Sequence, residues 1–131
     1  MRTFDNEVAE LIKSEIHLIC EQVGAGMGVK VAFEGDRIPY PATINDAAET
    51  EFAGGVLDAL VGPDNVDRDR DPVMGGEDFA FMAQARPGCF IFVGNGDSAP
   101  LHTPRYNFND DAAPFGVAYW AKLVETALPV S

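Results

Sequence analysis

Histidine and cysteine, the side chains that most often hold transition metals or attack carbonyls, are scarce here. The 131 residues carry two of each: His17, His102, Cys20 and Cys89. Two cysteines so far apart speak against the disulfide framework that staples small secreted domains. Cys20 lies on a helix-like stretch and Cys89 opens the apolar run 89-CFIFVG-94, so both read as buried reduced thiols. Basic residues are also few, nine Lys and Arg against 21 Asp and Glu, for a net charge of −12. With no basic patch to neutralise phosphates, nucleic acid and anionic membrane surfaces are excluded as partners. The acids are scattered rather than blocked, which reads as a solvated face. No apolar run reaches membrane length, and MRTFDNEVAE has no signal-peptide core, so the expected location is the cytoplasm. No internal repeat, G-x-S-x-G elbow, phosphate loop or paired-cysteine motif occurs.

What is present is enough for an ordinary folded domain, with 47% hydrophobic residues over a length that buries a real core. From Phe4 to Val23 the residues Val8, Leu11, Ile12, Ile16, Ile19 and Val23 recur at three- and four-residue spacing. That is one face of an amphipathic helix, with Asp5 as its N-cap and the glycines of 24-GAGMG-28 as its stop. The alternation in 29-VKVAF-33 predicts a half-buried strand. The proline-bearing tract 35-GDRIPYPATIND-46 has no clean period and marks a boundary. A second helix is predicted over 46–62, from an Asp cap to a Gly stop, weakened by Gly54 and Gly55 inside it. A short strand within 64–74, a short helix over 77–85 entered through Gly75 and Gly76, and a buried strand over 89–94 follow. A loop carrying His102 then leads to a closing helix over about 110–128, with Phe115, Ala118, Tyr119 and Leu123 on its inner face. Helices alternating with strands predict an α/β layered fold. If Arg2-Thr3-Phe4 ends a further strand, the front segment is half of something and exposes a sheet edge.

Two stretches carry candidate chemistry. In 99-APLHTPRYNFNDD-111, Pro100 and Pro104 stiffen the backbone around His102, whose neutral imidazole suits zinc or manganese. Read alone, a hydrogen-bonded or surface histidine is the better account of the residue. In 73-VMGGEDFAFM-82, Gly75 and Gly76 permit tight backbone geometry and close approach by a ligand. Glu77 and Asp78 then either complement the start of a helix dipole or, in Glu77's case, face a substrate pocket. Both readings stand on local grounds. His17 and Cys20 form an H-x-x-C pair with no second pair to complete a tetrahedral site, and core packing accounts for them.

Together, 73-VMGGEDFAFM-82, 100-PLHTPRYNFNDDA-112 and the closing helix resemble the C-terminal part of the hippurate hydrolase type of N-acyl-amino-acid amidohydrolases, within the dinuclear metallo-exopeptidases. MRTFDNEVAELI resembles the second half of that family's inserted lid (dimerisation) domain, and 39-PYPATIND-46 its return to the catalytic domain. The resemblance implies residues 1–38 as half of an α+β lid and 39–131 as the C-terminal part of an α/β/α catalytic domain. It implies metal-assisted hydrolysis of an N-acyl amino acid, with one or two divalent ions, Zn or Mn, activating a water and a glutamate moving the proton. His102 corresponds to the family's last metal ligand, and Gly75, Gly76 and Glu77 line the substrate pocket. The lid segment implies a homodimer. The family's other ligands, an Asp-Gly-Cys-x-His stretch, a Glu-Glu pair and a further histidine, have no counterpart here, nor has its catalytic glutamate. The chain alone is therefore expected to hold metal weakly and not to catalyse. The alternative is a non-catalytic α/β module that binds a small ligand or a protein.

Overall fold

The computed structural model describes residues 2–33 and 40–129. Four α-helices run over Asn6–Gly26 (α1), Ala47–Val61 (α2), Phe79–Ala85 (α3) and Ala113–Ala127 (α4), with single 3-10 turns at Pro63–Asn65 and Asp110–Ala112. The chain divides into two compact units, Met1–Ile44 with Asp71–Pro87 and Asn45–Arg70 with Gly88–Ser131. The expected boundary between residues 38 and 39 lies outside the described residues.

The α/β expectation is overturned: among the described residues no strand is present, and every regular element is helical. A strand is defined by a backbone neighbour that completes its ladder, and the expected strands have none. In 29-VKVAF-33, the Val29 N–H closes back on the Gly24 carbonyl at 2.9 Å. In 89-CFIFVG-94, the Phe90 peptide is bonded by the Asn45 side chain, whose Oδ1 accepts from its N–H at 2.8 Å and whose Nδ2 donates to its C=O at 2.9 Å. Phe92 is left 64% exposed. Residues 64–74 hold the end of the Pro63–Asn65 3-10 turn and an open loop, and Arg2-Thr3-Phe4 has no strand partner among the described residues. The alternating pattern survives, but no second backbone among the described residues pairs with it.

The helices follow their local signals closely. In the first unit the Asp5 carboxylate accepts from the amides of Glu7 and Val8 at 2.6 and 3.2 Å, starting α1. Its end is a Schellman motif: Val29 N–H to Gly24 C=O at 2.9 Å, Gly28 N–H to Ala25 C=O at 3.2 Å, and Gly28 at φ 69°. The helix thus runs past Gly24. A Cβ there would lie 2.7 Å from Val31 Cγ2, so the position needs a glycine for close packing rather than as a stop. Ala9 and Ala80 are the buried apolar residues described in this unit. The predicted stripe of α1 remains open to solvent, Leu11 at 58% and Ile19 at 55% exposure.

In the second unit the Asp46 carboxylate accepts from Ala48 and Glu49 at 2.9 and 3.1 Å and starts α2, which stops at Gly62 with φ 85°. Of the two interior glycines, Gly54 answers to a close neighbour, whereas Gly55 faces open space. The Arg68 guanidinium lies over Gly54, where an added Cβ would stand 2.5 Å from Nη1, and it reaches Asp58 at 2.7 Å and Glu51 at 3.2 Å. Helix α4 packs on α2, and Ala53, Val56 and Tyr119 are buried. Burial pushes the Tyr119 phenol above its ordinary pKa, with a smaller contribution from Cys89. Phe115, expected inside, is 56% exposed. Ala118, Tyr119 and Leu123 of the expected face are sheltered as predicted, and Gly116 takes the place of Phe115 on that stripe.

Candidate functional site

The glycine turn belongs to the first unit. Helix α3 starts at Phe79, two residues later than the acids suggest, and Asp78 makes no capping bond. Its carboxylate is instead the partner of the Tyr40 hydroxyl. That hydrogen bond, reinforced by the charges of Asp78 and Glu77, holds the phenol above its ordinary pKa, and only Arg2 opposes it. Glu77 is half-buried, and its Oε1 accepts from the Phe79 amide at a long 3.4 Å. The capping role thus falls weakly on Glu77, leaving its second oxygen uncommitted by that bond.

Gly75 and Gly76 differ in what surrounds them. A Cβ on Gly75 would meet only Val73 Cγ2 at 3.9 Å, an ordinary contact. At Gly76 it would stand 3.3 Å from both Arg2 Cζ and Tyr40 Cδ2. The Arg2 Nη1 donates to the Met74 carbonyl at 2.8 Å, and the Tyr40 ring lies 6.1 Å from that of Phe81. A cation, a phenol and two carboxylates therefore converge on one backbone turn, able to hold a ligand with both polar and charged ends. Sequence reading found the glycines and Glu77 but missed Arg2 and Tyr40, which no spacing links to them. The signal available for Tyr40 was its place between Pro39 and Pro41.

His102 belongs to the second unit. It is exposed and occupies the left-handed region at φ 62°, the one non-glycine described residue to do so. Histidine tolerates this region better than most side chains, at a cost of about 1–2 kcal/mol for an L-residue. The turn is closed by Thr103, whose hydroxyl donates to the Pro100 carbonyl at 2.8 Å and whose carbonyl accepts from the Tyr106 amide at 3.1 Å. At the base of the loop the Asn95 carboxamide bonds Ser98, Asn107 and Asn109. An open cleft of about 590 Å³ is lined there by Asn95, Asp97, Arg105 and Asp110 among others, and His102 is not part of its wall.

No group of three or more His, Cys, Asp or Glu side chains among the described residues stands close enough to share an ion. One exposed imidazole is not a closed donor set, so the described residues do not by themselves fit a metal ion. His17 is stacked on Phe33, with ring centres 3.8 Å apart and planes at 13°, a packing role. No helix among the described residues is long and apolar enough to cross a membrane.

Residues 5–126 match the family model of the peptidase family M20/M25/M40. The hippurate hydrolase of Campylobacter jejuni is 28% identical over 123 residues, covering 94% of this chain and 32% of the relative. The N-acetylcysteine deacetylase of Bacillus subtilis is 28% identical over 129 residues, 98% of this chain and 33% of the relative. The IAA-amino acid hydrolase ILR1-like 4 of Arabidopsis thaliana is 32% identical over 130 residues, 93% of this chain and 29% of the relative. The chain thus spans about a third of the length of these curated relatives. A match over nearly all of its residues makes the chain a member of the peptidase family M20/M25/M40.

Proposed function

We propose that these residues form the C-terminal part of a metal-dependent amidohydrolase that cleaves the amide bond of N-acyl amino acids. The observation that carries the reading is the match of residues 5–126 to the family, with relatives named for removing an acyl group from an amino acid or for hydrolysing hippurate. In this reading residues 1–38 are half of the lid segment and 39–131 part of the catalytic segment. His102 is one metal ligand, its imidazole presented at the apex of a stiffened turn. Gly75, Gly76 and Glu77 line the substrate pocket, where Gly75 stays open and Arg2 lies against Gly76 on the same turn. A Zn or Mn ion would polarise the scissile carbonyl in the complete enzyme. The described residues alone supply too few donors to hold it. The chain by itself is therefore a non-catalytic part, placed in the cytoplasm.

A chimera tests this. The matching third of the C. jejuni hippurate hydrolase is replaced by these 131 residues, and glycine release from hippurate is measured. Hydrolysis by the chimera that His102→Ala abolishes is the expected result. Full activity in the His102→Ala chimera sinks the ligand role, and hippurate turnover by the isolated chain sinks the assignment as a non-catalytic part.

The same reading includes a homodimer through residues 1–38. Support comes from the apolar stripe of α1, in which Val8, Leu11, Ile16, Ile19 and Val23 are all exposed, the kind of apolar face that marks an interaction site. Sedimentation should give a dimer that Ile16→Glu dissociates, and a monomer at high concentration would exclude it.

A further inference from the structure

The His102 loop rests on a single carboxamide. Asn95 Nδ2 donates to Ser98 Oγ at 2.9 Å and to the Asn107 carbonyl at 3.0 Å, and its Oδ1 accepts from the Asn109 amide at 2.7 Å. Both N–H groups and the oxygen are thus engaged, which uses the full donor capacity of an asparagine. The partners sit on both limbs of the loop, 98 on the outgoing side and 107 and 109 on the returning side. Asn109 continues the chain of contacts: its side chain accepts from the Asp111 amide at 3.0 Å, capping the 3-10 turn that leads into α4. Helix α4 in turn packs on α2. The loop base is thereby referred to the helical pair, while the far end carries an imidazole in a backbone conformation that costs energy unless its surroundings impose it.

We propose that Asn95 is a positioning residue for His102, its carboxamide fixing both limbs of the 95–109 loop so that the imidazole is held at the left-handed apex. The proposal rests on the reading of His102 as the functional group of this loop. No other side chain serves in its place. An aspartate keeps the acceptor for the Asn109 amide but sets a carboxylate oxygen against the Asn107 carbonyl, and a serine reaches one limb only.

The test uses the intact chain, which has two histidines. Imidazole ring signals from NMR give one set for His102 and one for His17, which lies in the other unit against Phe33 and serves as the internal control. Tyr106 amide exchange reports closure of the turn. In Asn95→Ala the His102 ring signals are expected to move to those of a flexible peptide, with Tyr106 exchange accelerated about tenfold and His17 unmoved. Asn95→Asp, close to isosteric and less prone to unfold the loop, is expected to do the same. Asn45→Ala breaks the comparable carboxamide bonds to Phe90 in the same unit and is expected to leave His102 where it is. Unchanged His102 and Tyr106 signals in both Asn95 variants overturn the proposal, as does an equal displacement by Asn45→Ala. These readouts involve no hydrolysis, so their failure leaves the ligand role of His102 standing. An active His102→Ala chimera removes that role and leaves the clamp.

Discussion

The side chain of Asn45 meets the peptide of Phe90 face to face, accepting its N–H at 2.8 Å and donating to its C=O at 2.9 Å. A carboxamide thus offers what one residue of an adjacent strand would offer, and the neighbouring Asp46 N–H adds a bond to the Gly88 carbonyl at 3.0 Å. Asn45→Ala removes both bonds to Phe90, together with the longer contact to Cys89 Sγ at 3.5 Å, and should lower stability by about 1–3 kcal/mol. The urea midpoint measures it. An unchanged midpoint would mean that water replaces the carboxamide without loss.

Gly75 and Gly76 should respond differently to one added methyl group. Gly76→Ala drives a Cβ to 3.3 Å from Arg2 Cζ and Tyr40 Cδ2 and should destabilise by about 1 kcal/mol through overpacking. Gly75→Ala meets one ordinary contact and should stay within about 0.5 kcal/mol of the parent. Paired thermal melts decide it, and equal shifts would contradict the difference in crowding.

Gly54 and Arg68 should be coupled. Gly54→Ala improves helix propensity by about 1 kcal/mol, yet it displaces the guanidinium from Asp58 and Glu51. In the parent the two effects oppose each other. In an Arg68→Ala background only the gain remains, so the second methyl group should stabilise outright. A double-mutant cycle from denaturant unfolding reads the coupling, and additive single changes would rule it out.

Alkaline stability should depend on Tyr40. Its hydrogen bond to Asp78 raises the folded phenol above the ordinary 10.0. In that window the folded state holds more protons than the unfolded one, so stability falls with rising pH. The contribution is whole below pH 10 and lost as pH climbs through the folded value. Tyr40→Phe should flatten the stability curve above pH 10, as followed by circular dichroism, and a curve that keeps its slope would assign the loss elsewhere.

The sequence is most legible where the cause is local. Asp5 and Asp46 were readable as caps because a carboxylate one residue ahead of an apolar period has few other uses. Gly28 and Gly62 were equally readable as stops. The strands were not, because alternation at 29–33 and 89–94 states a preference that only a second backbone can satisfy, and none is present among the described residues. Asp78 looked like a cap until Tyr40, remote in sequence, took its carboxylate. In the candidate site, His102 between two prolines and the glycine pair were legible as types. The left-handed backbone of His102, the crowding of Gly76 by Arg2 and the triple bonding of Asn95 depend on folding and leave no spacing to find.

Each unit has a shallow interior: among the described residues the buried apolar members are Ala9 and Ala80 in the first and Ala53, Val56 and Tyr119 in the second, and no large side chain is fully enclosed. Little hydrocarbon surface is released to water when so slight a centre opens. The heat-capacity increment on melting should accordingly be small for the chain length, and the calorimetric peak low and broad.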